Sequence, residues 1–309
     1  MTKPERTFGT KPAAVALAPV PSDGCPPPHP DPRRPSITLP AGSCDSHCHV
    51  FGPAAIFPYA EDRTFTPAEA PMEALVAVHA LLGLERAVIV QSACYGADHA
   101  ALLDALDRSA GRYRGVALID QRTPRSQIML LHDAGVRGFR VHFLPHLPQS
   151  LSWEDVATTA KLVADLGWHA EIHVSSDGIA RFADSISSLP VPVVIDHLGR
   201  VDVAMGTTGS AFGALLRLLD TGRVWVKTSG IDRLSREGPP YHDGVGLAAD
   251  LVARAPERVL WGTDFPHTNI VGAAPDDGLL VDLLEEIAPL ASTRQRLLVE
   301  NPAAFFGFE

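Results

Sequence analysis

Residues 86–91 (RAVIVQ), 114–119 (RGVALI) and 138–143 (GFRVHF) are three short runs rich in β-branched residues, and together they decide the fold of this chain. Each run is bounded by polar, Gly or Pro residues, and the segments between them place apolar residues at helical spacing. Strands that alternate with helices through short loops form a parallel sheet with right-handed crossovers. The stretch therefore predicts consecutive strand–helix units.

The same pattern extends in both directions along the chain. Predicted strands cover residues 44–51, 86–91, 114–119, 138–143, 169–174, 191–196, 223–227 and 258–261. Predicted helices cover residues 72–84, 97–110, 125–134, 153–166, 211–219 and 246–255. Eight such units predict an α/β fold closed into a (β/α)₈ TIM barrel. An open doubly wound sheet would prefer a Gly-rich phosphate loop after its first strand, where this chain reads Phe-Gly-Pro-Ala, so the barrel is favoured.

The first 40 residues have a different composition from the rest of the chain. They contain 11 of the 27 prolines, which excludes helices and central strands there. We therefore predict a Pro-rich N-terminal arm over residues 1–40 and a single barrel domain over residues 41–309. Arms of this kind are either disordered or laid over a neighbouring surface, and the sequence does not choose between these states.

Composition and charge exclude several classes of partner. The chain has 309 residues, 46% of them hydrophobic, and a formal net charge of −10, so it lacks the basic field that nucleic acid or anionic lipid needs. No apolar run approaches the roughly 18 residues of a membrane-spanning helix, and no secretory signal is evident. The four cysteines form no CxxC pair, which predicts a reduced protein in the cytoplasm. The sequence leaves open whether the protein forms a homo-oligomer.

Polar side chains concentrate at the ends of the predicted strands, which is where barrel enzymes carry their active sites. His47 and His49 end the first strand, and because alternate strand residues share a face, one divalent ion can bind both imidazoles. His173, His197 and Asp264 end the fifth, sixth and eighth strands. A single His-x-His pair is weak evidence among 13 histidines, but five such residues at strand ends predict a site. We predict surface positions for His29, His79, His99, His132 and His242.

Several motifs carry a family resemblance. They are CDSHCHVFGP (44–53), AVIVQSACYG (87–96), GVRGFRVHF (135–143), PVVIDHLGR (192–200) and VLWGTDFPH (259–267). The chain resembles the amidohydrolase superfamily, and within it the branch of lactonases that includes pyrone dicarboxylate lactonases and sulfomuconolactone hydrolases. The resemblance runs from about residue 41 to the C-terminus. It implies a barrel enzyme that opens a lactone ring.

The departures from the branch bear on metal and substrate. Aligned with pyrone dicarboxylate lactonases, Phe65 replaces a tyrosine, Ala93 a serine and His146 an arginine, and His173 replaces a tyrosine on the fifth strand. The last change restores a histidine that metal-dependent members of the superfamily use. The resemblance therefore implies a bound divalent metal, Zn²⁺ or a similar ion, and a substrate other than the pyrone dicarboxylate.

The resemblance also implies roles for individual residues. The metal would be held by His47, His49 and His173, with Asp264 as a further ligand. Asp264 would also accept the proton of the attacking water, and His197 would act as an orienting hydrogen-bond donor.

An anionic substrate is implied by cations near the predicted site. Arg140, Arg200 and Arg233 occupy positions that look like the anion-binding arginines of the branch, and paired guanidinium hydrogen bonds suit carboxylate or sulfonate groups. His146 would join them in binding substrate. Lys227 is the weakest candidate of the group.

These observations predict a metal-dependent hydrolase of a small anionic lactone, with 4-sulfomuconolactone or a related muconolactone from aromatic catabolism preferred. One alternative is a 2-pyrone-4,6-dicarboxylate lactonase, or another lactonase or isomerase of the branch, because fold does not fix substrate. Alternatives of another class are a decarboxylase of the wider superfamily and a non-catalytic barrel that binds anions.

Overall fold

The computed structural model describes residues 25–144, 147, 151–270 and 272–308. Eight parallel strands pair in the order β1 to β8, each with the next along the chain. The strands are Cys44–Cys48 (β1), Arg86–Val90 (β2), Tyr113–Ala117 (β3), Val136–Phe143 (β4), His169–Val174 (β5), Val193–Ile195 (β6), Val224–Lys227 (β7) and Val259–Leu260 (β8). The predicted eight-stranded α/β barrel is confirmed, and each strand begins within two residues of its predicted start.

Backbone hydrogen bonds join β1 to the segment after β8 and so close the sheet on itself. The amide of Ser46 donates to the carbonyl of Trp261 at 2.9 Å, and the amide of Asp264 donates to the carbonyl of His47 at 2.8 Å. The pairing of β1 with β2 is irregular between Asp45 and Cys48. This irregularity lies beside the paired histidines, in a place where bulges commonly redirect side chains.

Helices connect the strands and surround the barrel. Those between strands are Met72–Leu82 (α1), Ala100–Arg108 (α2), Arg125–Asp133 (α3), Trp153–Val163 (α4), Ser176–Arg181 (α5), Ala183–Ser188 (α6), Ser210–Asp220 (α7), Ile231–Leu234 (α8) and His242–Arg254 (α9). After β8 come Asp277–Asp282 (α10), Leu284–Ile287 (α11), Ala291–Gln295 (α12) and Asn301–Phe306 (α13), with a π-helical turn at Arg296–Glu300. Short 3-10 turns cover Ala93–Tyr95, Ala164–Leu166, His197–Arg200 and Val203–Thr208.

The apolar core has two parts. The larger part lies between the strands and the surrounding helices, where the amphipathic faces of the helices are buried. The smaller part lies inside the barrel, where Val88, Val116 and Val194 pack with Phe306 of α13. This apolar cluster fills one part of the barrel interior, and the polar residues gather at the carboxyl ends of the strands.

The described part of the Pro-rich arm, residues 25–40, contacts the barrel. Arg33 pairs with Asp276, which precedes α10, and with Asp282, the last residue of α10. The predicted arm residues 1–24 lie outside the described residues, and the boundary at residue 40 stays a prediction. Across the part of the chain that is described, none of the helices has the length and apolar character required to span a membrane.

Candidate active site

His47, His49 and Asp264 meet at the carboxyl ends of β1 and β8. One side-chain atom from each lies within 4.8 Å of the others, and all three residues are buried. Nε2 of His49 is 3.4 Å from Oδ1 of Asp264, and Nε2 of His47 is 3.6 Å from the same oxygen. Gly262 permits this close approach, because a Cβ there would stand 2.5 Å from the amide nitrogen of His47. The structure therefore brings these three predicted site residues together.

A pocket opens beside this group and is lined by His49 and Asp264 from it. It includes two of the predicted arginines, Arg140 and Arg233, and two positions at which the chain departs from its branch, Phe65 and Ala93. The full lining consists of His49, Phe65, Ser92, Ala93, Arg140, His142, Leu147, His173, His197, Arg233, Asp264, Thr268 and Asn269.

His47 on β1 and His49 just after it present nitrogens that fit a metal ion. Nδ1 of His49 is 2.6 Å from the carbonyl oxygen of Val90, so it carries the proton and leaves the Nε2 lone pair available. Metal-ligating histidines are usually held in this way by their second nitrogen. Nε2 of His47 is buried without a hydrogen-bond partner. A buried polar atom without a partner is costly, so this nitrogen and its neighbours are suited to a ligand that the protein atoms do not supply.

A buried charge cluster lies behind His47. Lys227 bonds to Glu171, and its Nζ is 3.1 Å from Nδ1 of His47. Nε of Arg140 donates to Oδ2 of Asp196 at 2.8 Å. Burial lowers the pKa of His47 well below its usual range, and the Lys227 ammonium adds to the effect, so the imidazole is neutral. Lys227 is fully buried among these groups and is not one of the described residues that line the pocket.

Asp264 is ionised through its contact with Arg233. Burial by itself would raise the pKa of this carboxyl, but the Arg233 guanidinium and the nearby imidazoles hold it well below its usual range. Arg233 binds Oδ2 of Asp264, so Oδ1 remains directed toward the imidazoles. Asp264 also has a left-handed backbone, with φ of 66°. The arrangement offers a carboxylate oxygen at the floor of the pocket.

His173 and His197 lie on another side of the pocket. Nδ1 of His173 is 3.3 Å from Nη2 of Arg140, and a guanidinium can only donate, so neutral His173 carries its proton on Nε2. Among the described residues His173 belongs to no group of potential metal ligands. Nδ1 of His197 is 3.0 Å from the hydroxyl of Ser229, and burial lowers the pKa of His197 to about 4. Burial, with the Arg140 guanidinium nearby, also lowers the pKa of His173 well below its usual range, so both imidazoles are neutral at pH 7.

Two further substrate contacts were predicted, Arg200 and His146. Arg200 is not among the described residues that line the pocket, although burial, with Arg233 and Arg140 nearby, lowers its pKa to about 10. His146 lies outside the described residues.

The prediction of surface positions fails for two histidines. His79 is buried, and its Nε2 is 3.1 Å from Oδ2 of Asp45. Asp45 in turn accepts hydrogen bonds from the amides of His47 and Thr263, both at 3.0 Å. His99 is buried with its Nε2 2.9 Å from the carbonyl of Leu118. Each of these helix-associated histidines has a partner on a strand or just after one, and contacts at this sequence distance cannot be inferred from helical periodicity.

Two more residues were missed by the sequence reasoning. His142 lines the pocket two residues after Arg140, and neither of its buried ring nitrogens has a partner. Strand alternation could have found it, since residues at i and i+2 share a face. His267 is fully buried between Asp277 and Asp232, at 2.9 and 3.7 Å. It ends the VLWGTDFPH motif, but nothing in the motif reveals its partners.

A closed parallel barrel with paired histidines at the end of its first strand and an aspartate after its eighth defines a class, the barrel hydrolases. This chain belongs to the amidohydrolase family, whose family model matches residues 44–308. The resemblance inferred from the motifs is therefore confirmed.

Individual relatives narrow the comparison. The chain is 41% identical over 285 residues to a 2-pyrone-4,6-dicarboxylate hydrolase of Comamonas testosteroni, covering 89% of this chain and 93% of that protein. It is 38% identical over 282 residues to a 4-sulfomuconolactone hydrolase of Hydrogenophaga intermedia, covering 90% and 92%. A solved apo structure from Agrobacterium tumefaciens matches with a TM-score of 0.80 at 27% identity, covering 89% of this chain and 99% of that one. The two curated relatives are both lactone hydrolases.

Proposed function

We propose that this protein hydrolyses a small lactone that carries an acidic group. The observation that carries the proposal is that His49 and Asp264, which lie beside His47, line the same pocket as Arg140 and Arg233. Ester hydrolysis needs an acceptor for the proton of water and a positive centre for the developing oxyanion. Binding of an acidic substituent needs cations, which two arginines of an otherwise acidic protein supply.

A divalent metal, with Zn²⁺ as the first candidate, would be held by Nε2 of His47, Nε2 of His49 and Oδ1 of Asp264. Nε2 of His47 can bind the ion when Nδ1 carries the proton and donates to Oδ1 of Asp196, which is 3.3 Å away. Two imidazoles and a carboxylate form a usual donor set for catalytic zinc. When bound, such an ion lowers the pKa of water and polarises a carbonyl oxygen. His173, which the sequence put among the ligands, is better suited to donate from Nε2 to substrate, because its Nδ1 faces a guanidinium that can only donate.

The protein's own groups would handle the proton. Asp264 is ionised and is proposed to accept the proton of the attacking water. His197 is neutral, and if the Ser229 hydroxyl donates to its Nδ1, its Nε2 carries a hydrogen that can orient the lactone carbonyl or the water. We propose that Arg140 and Arg233 bind the acidic group, assisted by Arg200 and His146.

The preferred substrate is 4-sulfomuconolactone or a related muconolactone. Phe65 and Ala93 line the pocket with apolar groups, which offer no hydrogen bonds to a second carboxylate. This supports a substrate other than the pyrone dicarboxylate. A second candidate, 2-pyrone-4,6-dicarboxylate, is favoured by the 41% identity to the Comamonas testosteroni relative.

One experiment separates these substrates and the other classes of function. Purified protein of measured metal content is screened for proton release against sulfonated, monocarboxylated, dicarboxylated and neutral lactones, with CO₂ measured in parallel. We expect one proton per ring opened and the highest kcat/KM with a sulfonated or monocarboxylated muconolactone. Faster turnover of the pyrone dicarboxylate would establish the second candidate. Release of CO₂ would indicate a decarboxylase, and binding of anionic lactones without turnover would indicate a binding protein.

Two broader features of the chain also remain proposals. We propose that residues 1–40 are an arm distinct from the barrel of residues 41–309. We also propose a cytoplasmic location, which the four buried free cysteines support, because thiols persist in a reducing compartment.

A further inference from the structure

Residues 25–40, which we call the strap, are fastened to the C-terminal part of the barrel by charged and polar contacts. The amide of Arg33 donates to Oδ1 of Asp276 at 3.0 Å, and Nη2 of Arg33 lies 2.9 Å from Oδ2 of Asp282. The amide and hydroxyl of Ser36 both donate to Oδ1 of Asp282, at 2.7 and 2.8 Å. One carboxylate thus holds two residues of the strap, which fixes its path across α10.

Gly278 of α10 allows the backbone of the strap to lie directly against the helix. A Cβ at this position would stand 2.0 Å from the carbonyl oxygen of Arg33, a separation that real Cβ atoms essentially never show. A single methyl group at residue 278 is therefore incompatible with the strap in its observed place. By contrast, a Cβ at Gly246 of α9 would have no atom within 4 Å.

At its other end the strap bridges two walls of the pocket. The amide of Cys25 donates to the carbonyl of Thr66 at 3.1 Å, next to the pocket residue Phe65. The Cys25 thiol is 3.6 Å from Oδ1 of Asn269, and the amide of Asn269 donates to Cys25 Sγ at 3.5 Å. Asn269 itself lines the pocket. One residue of the strap therefore contacts the loop after β1 and the loop after β8.

The loop that Cys25 contacts is held in an uncommon conformation. Asp264, His267 and Asn269 all have left-handed backbones, with φ of 66°, 64° and 58°. Such conformations persist when surrounding contacts hold them. Burial raises the pKa of Cys25, so its thiol stays protonated at neutral pH and can donate to Oδ1 of Asn269. With Oδ1 engaged in this way, the carboxamide has its Nδ2 hydrogens available for a ligand.

We propose that the strap is a working part of the active site, with Cys25 as a positioning residue that orients Asn269 to donate from Nδ2 to the acidic group of the substrate. This inference rests on the proposed hydrolysis of an anionic lactone. It adds a specificity-determining contact that depends on a segment preceding the region matched by the family model, which begins at residue 44.

The docking of the strap is tested without any substrate. The variant Gly278→Ala is compared with wild type and with Gly246→Ala, a matched change in another helix, by the rate at which a thiol reagent modifies the folded protein. All four cysteines are buried, so wild type and Gly246→Ala should react slowly. Gly278→Ala should expose one fast-reacting thiol, identified as Cys25 by peptide mapping. Slow reaction in Gly278→Ala would overturn the docked strap, whatever the protein catalyses.

The effect on specificity is tested by kinetics with paired anionic and neutral lactones. Cys25→Ala and Gly278→Ala should each raise KM for the anionic lactone about tenfold, as expected for a lost hydrogen bond to a charged group, and should leave kinetics with the neutral lactone within about twofold. Cys25→Ser, which keeps a donor, should recover part of the loss. Equal changes for both lactones would overturn the inference while leaving the proposed hydrolysis intact.

A double-mutant cycle shows whether Cys25 acts through Asn269. Cys25→Ala combined with Asn269→Ala should be no more impaired toward the anionic lactone than Asn269→Ala alone, because the contact is already removed. Additive losses would mean that Cys25 acts elsewhere and would refute its role as a positioning residue. Absence of turnover by wild type on every lactone would instead reject the proposed function, and the specificity role of the strap with it.

Discussion

His267 should stabilise the fold as a buried cation, and His267→Gln removes that charge while keeping a polar side chain. Burial alone would lower the pKa of His267, but Asp277 and Asp232 together raise it to about 10. Against an ordinary value of 6.5, this difference corresponds to about 5 kcal/mol at about 1.4 kcal/mol per pH unit. Removing one partner of a buried ion pair costs roughly 3–5 kcal/mol, a similar size.

The sign of the pH dependence follows from the raised pKa. Stabilisation by the protonated imidazole is fully present below pH 6.5 and is lost as the pH rises through about 10. The free energy of unfolding of His267→Gln should therefore fall about 3–5 kcal/mol below that of wild type at pH 6.5. The difference in the free energy of unfolding between wild type and His267→Gln should narrow by about 1.4 kcal/mol for each pH unit above pH 6.5.

Urea unfolding followed by circular dichroism at pH 6.5, 8 and 9.5 measures this difference. His242→Gln is the matched control, because His242 is exposed, and its stability should stay within about 0.5 kcal/mol of wild type. A difference between wild type and His267→Gln that stays constant from pH 6.5 to 9.5 would refute the buried cation. A difference in the free energy of unfolding below about 1 kcal/mol at pH 6.5 would show that the carboxylates of Asp277 and Asp232 do not depend on a cation between them.

Three further predictions concern the site. His47→Ala and His49→Ala should each lower bound metal, measured by mass spectrometry, together with activity, and full activity in metal-free protein would contradict the proposed ligand set. Asp264→Asn should lower kcat by roughly 10² to 10⁴ while substrate binding is largely kept, whereas a variant within a few fold of wild type would remove Asp264 as the base. Arg140→Met and Arg233→Met should cost about 1.5–3 kcal/mol in binding an anionic lactone, read from KM, and much less with a neutral one; equal losses would argue against an anion-binding role.

The strands were predictable because their signal is local. Runs such as VPVVID and RVWVK are rich in β-branched residues, and the structure places β6 and β7 within them. The helices α5 and α6 were missed, since each has only six residues and the sequences SDGIAR and ADSISS show little apolar periodicity. The helices after β8 were missed as well, because α10 to α12 are short and break between one another.

The site was predictable in outline because parallel strands in a barrel end on the same face. That rule brought His47, His49 and Asp264 together from residues more than 200 positions apart. It could not reveal which nitrogen of each imidazole meets which partner. The Arg140 contact that sets the proton of His173 on Nε2 depends on the packing of two adjacent strands, and no spacing in the sequence encodes it.

The sequence by itself therefore determined the eight strand–helix units of the barrel, because hydrophobic periodicity depends on neighbouring residues. It also determined that the group of histidines and aspartate lies at the mouth of the barrel, because parallel strands in a barrel end on the same face. Only the tertiary structure decided that Lys227 is enclosed beside Glu171, that His267 is a buried cation and that Cys25 contacts Asn269. These properties depend on burial and on contacts between distant segments. Burial and contacts between distant segments arise only when the chain folds. Desolvation and the position of each charge then determine which groups are protonated and which hydrogen bonds form.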